Sequence, residues 1–153
     1  MKTQEINQIA GNTATDDRGS LRFVNDFNFD EVKRFYQVQN HSRNFIRAWH
    51  GHIKEAKYVY VVKGSILIGA VPMPSNSFSD EAAQNIEHQP KKFILSSEKP
   101  SVLYIPANYA KGFMTLTDDA IVQFFSTSTL EESKDDDIRF PYDKWNIWNI
   151  EYR

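Results

Sequence analysis

Apolar residues recur along this chain in short runs of two-residue period rather than at helical spacing, and turn residues bound each run. LRFVNDF after the DDRGS turn, RFYQV, IRAWHGH, KYVYVV, ILIGAV, FILS, SVLYIP, AKGFMTL and AIVQFFST all read as strands. Between the first two, Asp30 is placed to N-cap one short helical turn through Glu31 to Lys33. KYVYVV alternates two faces, turns at Lys63-Gly64-Ser65 and returns as ILIGAV, which is the pattern of a hairpin. The polar stretch from Pro72 to Pro90 lies between two strand-like runs and reads as an insertion, either a solvated loop or a lid, not as a domain boundary. Strand after strand at such spacing predicts an all-β fold of the jelly-roll barrel type, with a short helical turn or two.

The 153 residues suit one domain, 1–153, because a typical domain has roughly 150. Cysteine is absent, which excludes disulfides, thiolate metal sites and cysteine nucleophiles. Eighteen Lys and Arg against twenty Asp and Glu give a net charge of −2, without the basic surplus of a phosphate-backbone reader, so nucleic acid is not an expected partner. Apolar runs such as Ile66 to Val71 and Phe93 to Leu95 fall far short of the roughly 20 residues that span a bilayer. No membrane partner is expected, and the chain reads as cytoplasmic.

IRAWHGH is a strand interrupted by chemistry. His50 and His52 share a face because alternate strand residues do, while Trp49 points to the opposite face and reads as packing. Two converging imidazoles serve metal ligation, acid/base work near neutral pH, or plain packing. Arg47 upstream and Lys57 downstream favour a site.

The HxH followed at fixed distance by Gly64 resembles the first motif of the cupin double-stranded β-helix proteins. Where a metal-binding cupin carries its Glu, five residues past His52, this chain has Lys57. Pro106, Asn108 and Lys111 resemble the second motif, with lysine again in the ligand position and an asparagine that tolerates the left-handed turn. A protonated lysine has donors and no acceptor, so no metal is expected. A mouth of imidazoles and cations suits an anionic substrate or a developing enolate.

From Asp16 to about Trp148 the landmarks fall in the order of one family. DDRGSLRFVNDF is similar to its DxRGxFxExF, NHS at Asn40 to its NxS, IRAWHGH to its LRGLHxQ, KYV at Lys57 to its KLV, and FILSSEKPSVLYIPANYAKGF to its LSxExxxxLxIPxGFAHGF. The sequence thus resembles the dTDP-4-dehydrorhamnose 3,5-epimerases and related nucleotide-sugar cupins. The resemblance implies a homodimer acting on a nucleotide-diphosphate sugar without a cofactor. It also implies His50 as the base that takes a proton beside the 4-keto group, Lys57 at the enolate oxygen, and Arg47 at the diphosphate. Abstracting such a proton needs a base of pKa near 7 and a fixed positive group, and these residue types qualify. Arg18, Phe23, Asn40, Lys111 and Tyr109 complete the expected binding set, with Phe23 and Phe27 as candidate stacking partners for a base.

The departures open alternatives. Leu130 falls about where the family has its general-acid tyrosine, leaving Tyr36, Tyr104 or Tyr109 as substitutes. The aspartate that orients the family's histidine has no evident counterpart, and the acids of KDDDIR are weak candidates for its role. His52 and Tyr36 also resemble the sugar 3,4-ketoisomerases, which carry RGxHAHK after a tyrosine-bearing strand. The leading expectation is therefore a nucleotide-diphospho-4-keto-6-deoxysugar epimerase, at C3 alone or at C3 and C5. The alternatives are a 3,4-ketoisomerase and a catalytically silent nucleotide-sugar-binding cupin.

Overall fold

The computed structural model describes residues 5–74 and 88–153, so most of the Pro72 to Pro90 insertion lies outside the described residues. The strands are β1 (Asn7–Ala10), β2 (Asn12–Asp16), β3 (Gly19–Phe23), β4 (Arg34–Gln39), β5 (Ile46–His52) and β6 (Lys57–Lys63). They continue as β7 (Ser65–Pro72), β8 (Lys91–Ser96), β9 (Ser101–Ile105), β10 (Tyr109–Thr115), β11 (Ile121–Ser126) and β12 (Ile138–Arg139), with one short helix, α1 (Leu130–Ser133), before the last. Thr129 and Glu132 close a capping box on α1.

Two five-stranded sheets, in the orders β1-β9-β6-β11-β4 and β12-β5-β10-β7-β8, face each other, and β2 pairs only with β3. This is the expected jelly-roll barrel. Its principal core lies between the sheets, with Val59, Val61, Leu103, Val122 and Phe124 from the first against Ile66, Ile68, Leu95 and Phe113 from the second.

The hairpin expected from Lys57 to Val71 does not form. β6 is hydrogen-bonded to β9 and β11, and β7 to β8 and β10, so neither has a free edge for the other. Gly64 (φ 77°) instead turns the chain from one sheet to the other, and both strands bring their apolar faces to the same core from opposite sides. A Cβ at Gly64 would lie 2.2 Å from Thr117 Oγ1, so the corner needs glycine for space as well as for φ. The helical turn expected after Asp30 is also absent. The Asp30 N–H donates to Asn28 Oδ1 (2.7 Å) and the Val32 N–H to the Phe29 carbonyl (2.9 Å), which closes a tight turn there instead.

The outer face of the second sheet is covered by the C-terminal segment. Trp49 there is fully buried, as its strand position predicts, among Leu67, Val71, Met114 and Trp148. The indole N–H groups of Trp49 and Trp148 both donate to the Tyr142 carbonyl (3.1 and 2.9 Å), which fastens residues 140–148 across β5.

Candidate active site

A cavity of about 390 Å³ opens between the sheets. The first sheet lines it with Arg34, Tyr36 and Val38 of β4, Lys57 of β6 and Phe124 of β11. The second sheet supplies Arg47, His50 and His52 of β5, Ile68 of β7, and Lys111 and Phe113 of β10. Leu130, Ser133, Lys134 and Asp137 form the rim.

Strict alternation along β5 would turn Arg47 away from the histidines. The register breaks here: Lys111 faces His50 and Phe113 faces Arg47, so Gly112 alone opposes both Ala48 and Trp49. Ala48 and Trp49 consequently both pack on the outer cluster, and Arg47, His50 and His52 all reach the cavity. Such a bulge re-aims side chains at a site. Asn108, with φ 69°, makes the predicted left-handed turn into β10, and its N–H donates to the His52 carbonyl (2.7 Å).

A polar chain crosses the cavity floor from one sheet to the other. Lys111 Nζ lies 2.9 Å from His52 Nδ1, and His52 Nε2 lies 3.4 Å from Glu55 Oε2. Lys57 Nζ lies 2.6 Å from Glu55 Oε1 and donates to the Tyr36 hydroxyl at 2.9 Å. Ser126 Oγ and Arg34 Nη2 also donate to Glu55, whose side chain is 0% exposed. Burial pushes the Glu55 carboxyl up, but hydrogen bonds from Lys57 and Ser126 outweigh it and hold the group ionised. Asp136 accepts the backbone N–H groups of Ile53, Lys54 and Glu55 (2.7, 2.9 and 3.0 Å) and so fixes the loop that carries Glu55.

The imidazoles are tuned toward neutrality. Burial first, then Arg139, lowers His50 below the usual histidine value, against Asp137, whose Oδ1 lies 3.9 Å from His50 Nδ1. Burial and then Lys111 bring His52 down to about 4. Lys111 itself falls to about 7, through burial and then Lys57. A neutral imidazole can accept a proton, and a fixed ammonium can stabilise an oxyanion.

Of the residues expected from sequence, the cavity gathers His50, His52, Lys57, Tyr36, Arg47 and Lys111. Asn40 does not line it. Asn40 is buried and accepts from Arg47 Nε at 2.6 Å, so it positions Arg47 rather than meeting the cavity itself. Arg18 is also not there. It sits at the exposed tip of the β2–β3 hairpin, paired with Asp16 at 2.5 Å, because that hairpin joins neither sheet. Phe23 ends the same hairpin away from the cavity, and Phe27 packs against Tyr58 and Phe125 of the first sheet instead. Tyr109, although opposite His52 in register, packs against the principal core. Sequence reasoning missed Arg34 and Glu55, and it named Asp136 and Asp137 only among the acids of KDDDIR as weak candidates for the histidine's partner. Arg34 was legible as the same-face neighbour of Tyr36, and Glu55 as an acid three residues past an HxH.

A family model described as dTDP-4-dehydrorhamnose 3,5-epimerase matches residues 1–151. No curated protein matches the sequence. Among solved structures, the dTDP-4-dehydrorhamnose 3,5-epimerase of Bacillus anthracis, with TDP and PPi bound, superposes with a TM-score of 0.71 at 21% identity, over 88% of this chain and 78% of that one. The epimerase of Mycobacterium tuberculosis gives 0.69 at 19% identity, over 91% and 72%. The sugar 3,4-ketoisomerase QdtA of Thermoanaerobacterium thermosaccharolyticum, in complex with TDP, gives 0.65 at 21% identity, over 92% and 90%. At these identities the structural likeness is one of fold.

Proposed function

Since the chain belongs to the dTDP-4-dehydrorhamnose 3,5-epimerase family, we propose that it is an isomerase that epimerises a nucleotide-diphospho-4-keto-6-deoxysugar at C3 in deoxysugar biosynthesis. The observation that carries the reading is the division of chemistry between two walls. An imidazole inclined to neutrality, His50, stands on one sheet, and an ammonium joined to a phenol, Lys57 with Tyr36, stands on the other. His50 takes the proton from C3, with Asp137 as the acid nearest its Nδ1. Lys57 stabilises the resulting enolate oxygen. Tyr36 returns a proton from the opposite face, in the role that Leu130 cannot fill. Arg47 and Lys111 hold the substrate's anionic oxygens, and TDP bound to relatives of this fold supports a nucleotide-linked substrate.

The active protein in this reading is a cytoplasmic homodimer. The β2–β3 hairpin, hydrogen-bonded to neither sheet of its own chain, presents Arg18 and the exposed Leu21 for a second subunit. One grouping favours the 3,4-ketoisomerase as a second reading. His50, His52 and Lys111 lie together on one wall, and moving a carbonyl between adjacent carbons needs a proton shuttle on one side.

Incubation with TDP-4-keto-6-deoxyglucose in deuterated water, with His50→Asn as the blank, separates these outcomes. The expected product carries one deuteron at C3 with the 4-ketone retained. Two deuterons mean a 3,5-epimerase, and a carbonyl moved to C3 means the isomerase. No exchange above the blank, on this and other nucleotide-linked ketosugars, means a binding-only protein.

A further inference from the structure

We propose that Glu55 is a positioning residue for this reaction, one that keeps Lys57 charged and aimed and through it turns the Tyr36 hydroxyl toward the substrate. The inference rests on the functional reading above and assigns a role to a residue outside the family motifs.

The geometry is that of a hub. Lys57 is 3% exposed and has two polar contacts among the described residues, Glu55 Oε1 at 2.6 Å and the Tyr36 hydroxyl at 2.9 Å. Only the first of these is an anion. The cavity otherwise gathers Arg34, which shares Glu55, with Arg47, Lys111 and Lys134, and its other carboxylate, Asp137, is engaged with Arg139 and faces His50. An ammonium buried among cations without a counter-charge is unfavourable, so Glu55 is what makes a charged Lys57 tenable.

Hydrogen-bond direction extends the argument to Tyr36. Lysine is a donor only, so the phenol oxygen accepts from Lys57. The hydroxyl's own proton then has no acceptor among the described residues, and it belongs to whatever fills the cavity. Stacking of Tyr36 on Phe124, with ring centroids 5.2 Å apart, holds the phenol in that pose. Glu55 is in turn immobilised by Asp136, which binds three successive N–H groups of its loop. Exchange of the carboxylate for an amide would leave the shape and remove the charge that organises Lys57.

A double-mutant cycle tests this. C3 exchange of TDP-4-keto-6-deoxyglucose is measured for wild type, Glu55→Gln, Lys57→Met and the double variant. Each single variant is expected to lose about 100-fold. The double variant is expected to fall no more than about threefold below Lys57→Met, because one residue acts through the other. Losses that multiply overturn the proposal, since Glu55 would then act independently of Lys57. Glu55→Asp, which keeps the charge, is expected to recover about tenfold over Glu55→Gln, and no recovery overturns the role of charge. A readout without substrate is the reductive methylation of Lys57 at about pH 8, expected to run about fivefold faster in Glu55→Gln because the amine is no longer held by its carboxylate partner. Equal rates overturn the proposal. Wild-type protein that exchanges no proton from any nucleotide-linked 4-ketosugar sinks the functional reading instead, and the methylation ratio still decides whether Glu55 holds Lys57.

Discussion

Lys111 shows how a single residue of this cavity trades stability for chemistry. It is buried, its hydrogen-bond partner is an imidazole, and its pKa falls to about 7 from 10.5, chiefly through burial and then through Lys57. The folded protein therefore binds fewer protons than the unfolded chain between those two values. The cost of keeping the ammonium is full below pH 7 and fades as pH rises toward 10.5. Lys111→Met should accordingly stabilise the protein, by roughly 2–4 kcal/mol near pH 6 and by almost nothing near pH 10. Thermal unfolding of the two proteins across that range checks this, and equal melting temperatures near pH 6 would mean that the ammonium is well solvated. Activity should show the converse. If the ammonium grips substrate oxygens, KM of the wild type rises as pH passes upward through about 7, and KM of Lys111→Met is high and flat.

At the scale of elements, the decisive feature is the bulge that sets two residues of β5 against Gly112 of β10. A Cβ at Gly112 would lie 2.4 Å from the Ala48 Cβ and 3.1 Å from its Cα, so Gly112→Ala must push β5 outward at the point where Arg47 and His50 are aimed. It should cost about 1–3 kcal/mol by overpacking, and it should lower kcat/KM more than Trp148→Ala, which removes packing from the outer face alone. Equal losses in the two variants would show that stability, not aim, sets the activity. The same elements explain what could be read from the sequence. The limits of β5, the shared face of His50 and His52, and the left-handed Asn108 followed from period two and turn chemistry, which are local. Arg47 joining that face did not, because it depends on a glycine some 65 positions later. The KYVYVV and ILIGAV runs were right as strands and wrong as a hairpin, since alternation marks a buried face and not which edge is paired. Glu55 escaped notice because two of the partners that make it a hub, Arg34 of β4 and Ser126 of β11, lie far from it in the chain. The run KDDDIR looks like a solvated charge cluster, yet Asp136 cradles three backbone N–H groups and Asp137 reaches toward His50.

For the whole molecule, the arrangement of charge matters more than its sum. The chain carries a net −2, yet the cavity holds Arg34, Arg47, Lys57, Lys111 and Lys134 against Glu55 and Asp137. The count overstates the field, because Arg34 and Lys57 share Glu55, and Lys134 pairs with Glu131. Arg47 and Lys111 form no ion pair among the described residues. Asn40 holds the first and His52 the second, both without a compensating charge. A diphosphate entering the cavity thus meets two uncompensated cations inside a protein that is anionic overall, and the binding energy should be largely electrostatic. Because the Debye length shrinks from about 10 Å at 0.1 M salt to about 3 Å at 1 M, KM should rise about tenfold over that range, while kcat, set by contacts inside the cavity, stays within about twofold. Arg47→Gln should flatten the slope and Arg34→Gln should leave it nearly unchanged, since Arg34 is already spent on Glu55. Steady-state kinetics at a fixed pH near 6.5, where Lys111 is still mostly protonated, measures both, and a KM indifferent to salt would move the anion's seat away from Arg47 and Lys111.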